Sequence, residues 1–193
     1  MHINGFTPAL LSFVTLTFAA APIQPIKINP TVKNFNSIPS ISIGKTFFIG
    51  TVQDTSLQRD ESGTVGATRV RRRKTAPIYC SPLPALAVKR SLESLLVTKG
   101  LNAEETSAAD FTLQVLLFDF SLVETSKRVS QTMEATVAMQ ITVIANQDSS
   151  TAKQFTIRTQ NSKSTMDTSK HAESVLRGAL ESALKEIIKN LPN

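Results

Sequence analysis

The sequence predicts an α+β fold, a two-layer sandwich in which a four-stranded mixed sheet, in the order β-α-β-β-β-α, is covered by two helices. Three observations carry this expectation. In the stretch from Ala109 to Ala145, residues Ala135, Val137, Met139, Ile141 and Val143 alternate with Glu134, Thr136, Ala138, Gln140 and Thr142, the period-2 pattern of a strand with one dry face. Ala85, Val88, Leu92, Leu95 and Leu96 fall on one face of a helix. A second apolar stripe runs through Ala172, Val175, Leu176, Ala179, Leu180, Ala183, Leu184, Ile187, Ile188 and Leu191. Both helices are one-sided, so both need a sheet face to cover.

Taken in order, Ala9 to Pro22 (ALLSFVTLTFAAAP) is an uncharged apolar run ending in small residues. It reads as the core of a signal peptide over residues 1–21, with cleavage near Ala19 to Ala21, although Met1 to Phe6 carry no Lys or Arg. The alternatives are an uncleaved amphiphilic anchor or a buried segment. The run is too short to span a bilayer comfortably. No cysteine follows it, so lipid attachment at a lipobox is excluded for the sequence as written. Residues 22–44, with Pro25, Pro30 and Pro39, read as an extended linker able to lay a few apolar side chains on the domain, and residues 45–193 as a single domain.

Lys45 to Gln53 (KTFFIGTVQ) predicts the first strand, apolar on both faces. Leu57 to Ser81 reads as the longest irregular segment, carrying Gly63, Gly66, Pro77 and the run Arg69-Val70-Arg71-Arg72-Arg73-Lys74. Pro82 and Pro84 sit where a helix begins, and the helix over Ala85 to Lys99 should stop at Gly100, with Leu101 folding back on its last turn. The first strand then joins the next through a helical crossover and should lie parallel to it if the two pair directly.

Phe111 to Val123 is apolar on odd positions up to Leu117 and on even positions from there, through Leu116, Phe118, Phe120 and Leu122. That exchange of faces suggests a bulge or a passage from core to edge. The turn to the next strand falls near Glu124 to Ser130, and a further strand over Lys153 to Thr159 follows the turn at Asp148 to Ser150. Asn161 to Thr168 is polar and assigned to no element. Thr168 or Ser169 is expected to cap the last helix, where Glu173 near its start and Lys185 and Lys189 near its end suit the helix dipole.

A chain of 193 residues can bury a self-sufficient core. The absence of Trp and the few aromatics argue against a sugar-stacking or aromatic-cage binder. Its net charge of +6 favours anionic partners. Cys80 is the one cysteine, so neither an intrachain disulfide nor a Cys-based metal site can form, and with His2 in the leader only His171 remains for a His-based one.

Three fragments raise chemistry. Ile43-Gly44-Lys45-Thr46 resembles the tail of a phosphate loop, but Pro39 stands where the first glycine belongs and the strand follows instead of preceding. Cys80, His171 and Asp167 can be written as a nucleophile, base and orienting acid, though no spacing brings Cys80 to His171. The sharpest feature is Arg69, Arg71, Arg72, Arg73 and Lys74, five cations among six residues. Its readings are a solvated loop, a docking site for an anionic lipid, polysaccharide or protein, or a nucleic-acid contact. The missing aromatics and reading helix argue against nucleic acid.

A set of structural positions from about Phe47 to Leu191 resembles the YajG-like family of bacterial envelope lipoproteins. They are a strand ending in Asp54, a loop with Gly63 and Gly66, a helix closing as Leu95-Leu96-Val97-Thr98-Lys99-Gly100-Leu101, a strand opening Ala109-Asp110-Phe111-Thr112-Leu113, and a terminal helix with Ala179-Leu180-Glu181-Ser182-Ala183-Leu184. The resemblance implies an envelope location and a strand, helix, meander, helix layout, and it brings no catalytic residues. The family's lipid-bearing cysteine is absent here.

The expectation is therefore a non-enzymatic exported protein of the periplasm or outer-membrane surface. It has no cofactor, metal site or catalytic residue, and Arg69, Arg71, Arg72, Arg73 and Lys74 contact an envelope protein or an anionic lipid or polysaccharide surface. Ligand, process and oligomeric state stay open. The competing readings are a hydrolase using Cys80, which requires a reactive thiol, and a cytoplasmic nucleic-acid binder through Arg69 to Lys74, which requires an uncleaved N-terminus.

Overall fold

A computed structural model of the chain describes residues 23–38, 44–56, 63–71, 74–126, 130–165 and 167–192. The expected signal peptide over 1–21 lies outside them. Seven strands and two helices follow in the order β1 (Ile26–Ile28), β2 (Phe47–Asp54), β3 (Thr64–Arg71), β4 (Lys74–Cys80), α1 (Pro84–Thr98), β5 (Phe111–Ser126), β6 (Gln131–Ala145), β7 (Ser150–Thr165) and α2 (Ala172–Asn190). The expected four-stranded sheet and β-α-β-β-β-α order are thus incorrect. The segment read as irregular from Leu57 to Ser81 contains the antiparallel pair β3 and β4, and β1 forms inside the segment read as a linker.

All seven strands belong to one sheet, ordered β1-β4-β3-β5-β6-β7, with β2 also paired to β5. Its centre is the meander of β5, β6 and β7, whose 16, 15 and 16 residues pair along their whole length. Val137, Met139, Ile141 and Val143 are fully buried, as alternation requires. The exchange of faces in β5 is a bulge, where the register steps from Leu117 to Asp119 and Phe118 is left extra and 41% exposed. Opposite it, Asp119, Ala138 and Arg158 share one register row, and the small Ala138 lets Arg158 reach across to Asp119 at 3.9 Å.

β2 runs parallel to β5 along Phe111 to Leu117, as a helical crossover dictates. β3 is also parallel to β5, meeting it at Gly66 opposite Leu122. Together they lie along β5 as two halves of one interrupted strand.

Helix α1 packs on β2, α2 packs on β5, β6 and β7, and both feed one apolar core. Gly100 ends α1 at φ 68°, where only glycine is unstrained. The Leu101 amide donates to Leu96 at 2.8 Å and the Gly100 amide to Val97 at 3.0 Å, closing the last turn while Leu101 is buried. The start of α2 departs from expectation. The residue before its first turn is His171, without a side-chain cap. Thr168 is turned into the sheet, and Ser169 donates to Asp167 at 2.6 Å.

Residues 29–38 cross both helices as a strap. Val32, Phe35 and Ile38 are buried, the Val32 amide donates to Ser91 Oγ of α1 at 3.0 Å, and Arg177 of α2 donates to the Asn29 carbonyl at 3.2 Å.

Candidate anionic-surface contact

The register brings the basic residues to one end of the sheet. β3 ends at Arg71 and β4 begins at Lys74, so the cationic run spans the far end of that strand pair. Thr68 and Ala76 form the last buried register pair. Beyond them Arg69, Val70, Lys74 and Thr75 are all exposed, whichever face they occupy. At the usual strand rise, Arg71 stands roughly 10 Å past Thr68. Arg72 and Arg73 lie outside the described residues.

A further cation, not singled out by sequence reading, stands near the same end: Lys163 is exposed opposite Met133 toward the end of β7. β3 runs parallel to β5 from Gly66 and Leu122, so both strands run toward one side of the sheet, and only that register joins Lys163 to the run in β3 and β4. Lys127 and Arg128 lie outside the described residues.

The base of the projecting pair is fastened by one carboxylate. Glu124 accepts from the Thr68 hydroxyl, from the Arg69 amide at 3.0 Å and from Thr168 Oγ1 at 2.8 Å. Thr68 and Thr168 are almost fully buried and lie 2.9 Å apart, and Thr168 is also 3.3 Å from Gln131 Oε1. Burial pushes the Glu124 carboxyl up, but the hydrogen bonds from Thr68, the Arg69 amide, Thr168 and Ser126 outweigh it and hold its pKa below the usual glutamate value. This cluster ties β3, β5 and the turn before α2 together and fixes the direction of the basic strand ends.

The other singled-out residues have structural duties. Asp110 accepts from the Thr46 amide at 2.8 Å, from Thr46 Oγ1 at 3.2 Å and from Lys45 at 3.3 Å, which pins the start of β2 to the start of β5. The Thr46 amide chiefly lowers the Asp110 pKa, against a smaller effect of burial, with Lys45 assisting. Gly44, Lys45 and Thr46 are thus residues of a strand start. Cys80 closes β4 opposite Ile28 and is 3% exposed, which denies a substrate access to the thiol. Asp167 bonds Ser169 and pairs with Lys170 at 3.3 Å. Among the described residues no three His, Cys, Asp or Glu side chains gather to hold a metal, and no helix is long and apolar enough to cross a membrane.

On the open face, the interruption between β2 and β3 leaves a cleft of about 870 Å³ beside Phe118, Asp119, Val123 and Arg158. A smaller hollow on the same face is lined by Gln53, Gln114, Gln140, Gln154 and Thr142.

This arrangement, a long meander under two helices with a lateral strand pair ending in cations, places the chain among known proteins. It belongs to the family described as uncharacterized lipoprotein, whose family model matches residues 51–191. That agrees with the YajG-like resemblance seen in the sequence. No curated protein matches the chain. Among solved structures, it is similar to a Xanthomonas campestris protein of the DUF330 family, with TM-score 0.57, 13% identity, and coverage of 86% of this chain and 91% of that one. It is similar to an uncharacterized protein with TM-score 0.52 and 9% identity, covering 86% of this chain and 99% of the other. PelC from Paraburkholderia phytofirmans, solved as a dodecamer, aligns with TM-score 0.47 and 10% identity over 81% of this chain and 95% of that one. At such identities, the first two likenesses show a shared fold.

Proposed function

We propose that the protein is a non-enzymatic accessory protein of the bacterial envelope, exported to the periplasm or the outer-membrane surface. It docks on an anionic partner through Arg69, Arg71, Arg72, Arg73 and Lys74. One observation carries this reading: Arg69 and Lys74 both stand exposed at the end of the β3–β4 pair, past its last buried register pair. Clustered charge raises the rate and the salt sensitivity of association with an anionic surface. Membership of a lipoprotein family supports the envelope location, and the burial of Cys80 counts against a thiol hydrolase. The test is retention on dextran sulfate across a salt gradient. The wild-type chain should elute late, and the Arg71→Glu, Arg72→Glu, Arg73→Glu variant early. Equal elution of the two would remove the docking role.

A further inference from the structure

We infer that the outer face of α1 is a contact between two copies of the chain, paired antiparallel about a two-fold axis that passes between Ser91 and Leu92. Helix α1 buries Val88, Leu92, Leu95 and Leu96 in the core and turns a second stripe outward. That stripe is Leu83, Leu86, Arg90, Glu93 and Val97, at alternating spacings of three and four residues, the repeat that keeps one seam of a helix facing a partner helix. Leu83 is 51% exposed, Leu86 41% and Val97 62%. Three of the seven large apolar side chains exposed among the described residues therefore lie along one line.

Helix α2 shows what a solvated face looks like in this fold. Glu173 pairs with Arg177, Glu181 with Lys185 and Glu186 with Lys189, so its outward charges are closed within the helix. On α1, Lys89 reaches Glu93 only at 3.9 Å, and Lys99 is turned aside to the Ile38 carbonyl at 2.6 Å. Arg90 is exposed and pairs with no acid among the described residues. The stripe is its own complement in one direction only. About the stated axis, Leu86 of one copy meets Val97 of the other and Arg90 meets Glu93, each pair occurring twice. A parallel pair would set Arg90 against Arg90 and Glu93 against Glu93, which repel. An unrelated partner gives no reason for the stripe to match its own reverse. Lys89 leaves each face one positive charge in excess, and each chain carries a net +6, so the attraction is small. The 15 residues of α1 run about 22 Å. A contact of that length falls short of the roughly 1,600 Å² of a standard interface, so the pair is of the transient class and the chain is monomeric when dilute.

The test is sedimentation equilibrium of the full chain over a concentration series reaching about 0.5 mM, where a transient pair is populated. Wild type should show a monomer–dimer equilibrium. Arg90→Glu and Glu93→Arg, each alone, set like charges against each other twice and should weaken the dimer about tenfold or more. Mixed in equal amounts they should restore it, because the acids of one variant then face the cations of the other. Both positions lie on the outer face, and circular dichroism should show both variants folded as wild type. Disulfide trapping reads the register. Leu86→Cys mixed with Val97→Cys should cross-link, while neither does so alone, since two copies of position 86 stand about 16 Å apart along the axis, beyond disulfide reach. Cys80 is buried and takes no part. A monomer at every concentration overturns the proposal and leaves the face to a different protein. A dimer that both single variants leave unchanged, or one that mixing them does not restore, also overturns it. Leu86→Cys cross-linking to itself in preference to the mixture overturns the antiparallel pairing.

Discussion

Replacing Gly66 with Ala should loosen the strand pair that carries the basic end, because the new Cβ has nowhere to go. It would stand 2.2 Å from the Leu122 carbonyl oxygen, 3.0 Å from Leu122 Cβ and 3.1 Å from the Leu122 carbonyl carbon. Carbon contacts are comfortable near 3.5 to 4.0 Å, so β3 must move away from β5 by about 1 Å. The obstacle is backbone, and no rotamer relieves it. Overpacking of this kind costs about 1–3 kcal/mol. The movement also strains the hydrogen bonds from Thr68 and the Arg69 amide to Glu124, and bonds to a charged acceptor are worth about 1.5–3 kcal/mol. Glu124 is partly exposed, so the lower figure applies, and the total is about 2.5–4.5 kcal/mol. At about 2–4 °C per kcal/mol for a domain of this size, Tm should fall by about 5–18 °C. Thermal unfolding followed by circular dichroism measures it. Gly44→Ala is the control, with nothing within 4 Å of its Cβ and an expected change within about 0.5 kcal/mol. A Gly66→Ala protein melting within about 2 °C of wild type would refute the close β3–β5 approach.

Two further outcomes follow from burial and from the carboxylate clamp. Val137→Asp places a charge at a fully buried position of β6 with no cation in reach of the core, and should leave no cooperative unfolding transition, whereas a soluble, native-like variant would show the assigned face to be wrong. Glu124 has a folded-state pKa below its unfolded value of about 4.3, so its stabilisation is full above that pH and disappears as pH falls through the folded value. Glu124→Gln should therefore be less stable than wild type at pH 7 and lose less stability between about pH 5 and pH 3. Parallel pH dependences in the two proteins would show that the carboxylate is not clamped.

The meander and both helices were legible because their burial is one-sided and periodic. Val137 to Val143 alternate strictly, and Gly100 and Leu101 mark a helix end in sequence as they do in space. β3 and β4 were not legible. Thr64 to Arg71 (TVGATRVR) holds a glycine, an alanine and two arginines, and its place is secured by a close backbone approach at Gly66 and by Glu124 from another strand. The far half of β7, Gln160 to Thr165, is polar because it lies on an edge strand, and only its register with Gln131 to Thr136 makes it a strand. Capping misled at α2 for a related reason, since the Thr168 hydroxyl serves Glu124 rather than the helix. As for the candidate site, the arginine run was plain in sequence. The place of Arg69 and Lys74 at the exposed end of the β3–β4 pair depends on strand pairing, which composition does not encode.

The claim that the basic end is the working surface, and not merely part of a cationic protein, is tested most directly by two charge reversals of equal size. One variant carries Arg71→Glu, Arg72→Glu and Arg73→Glu. The other carries Lys33→Glu, Arg90→Glu and Lys189→Glu at exposed positions on the strap and the two helices. Both change the net charge equally, and both are titrated with phosphatidylglycerol vesicles over a salt series. The account predicts that the first loses salt-dependent binding while the second keeps nearly all of it. Equal loss in the two would contradict it and leave only the net charge of the protein to explain its binding.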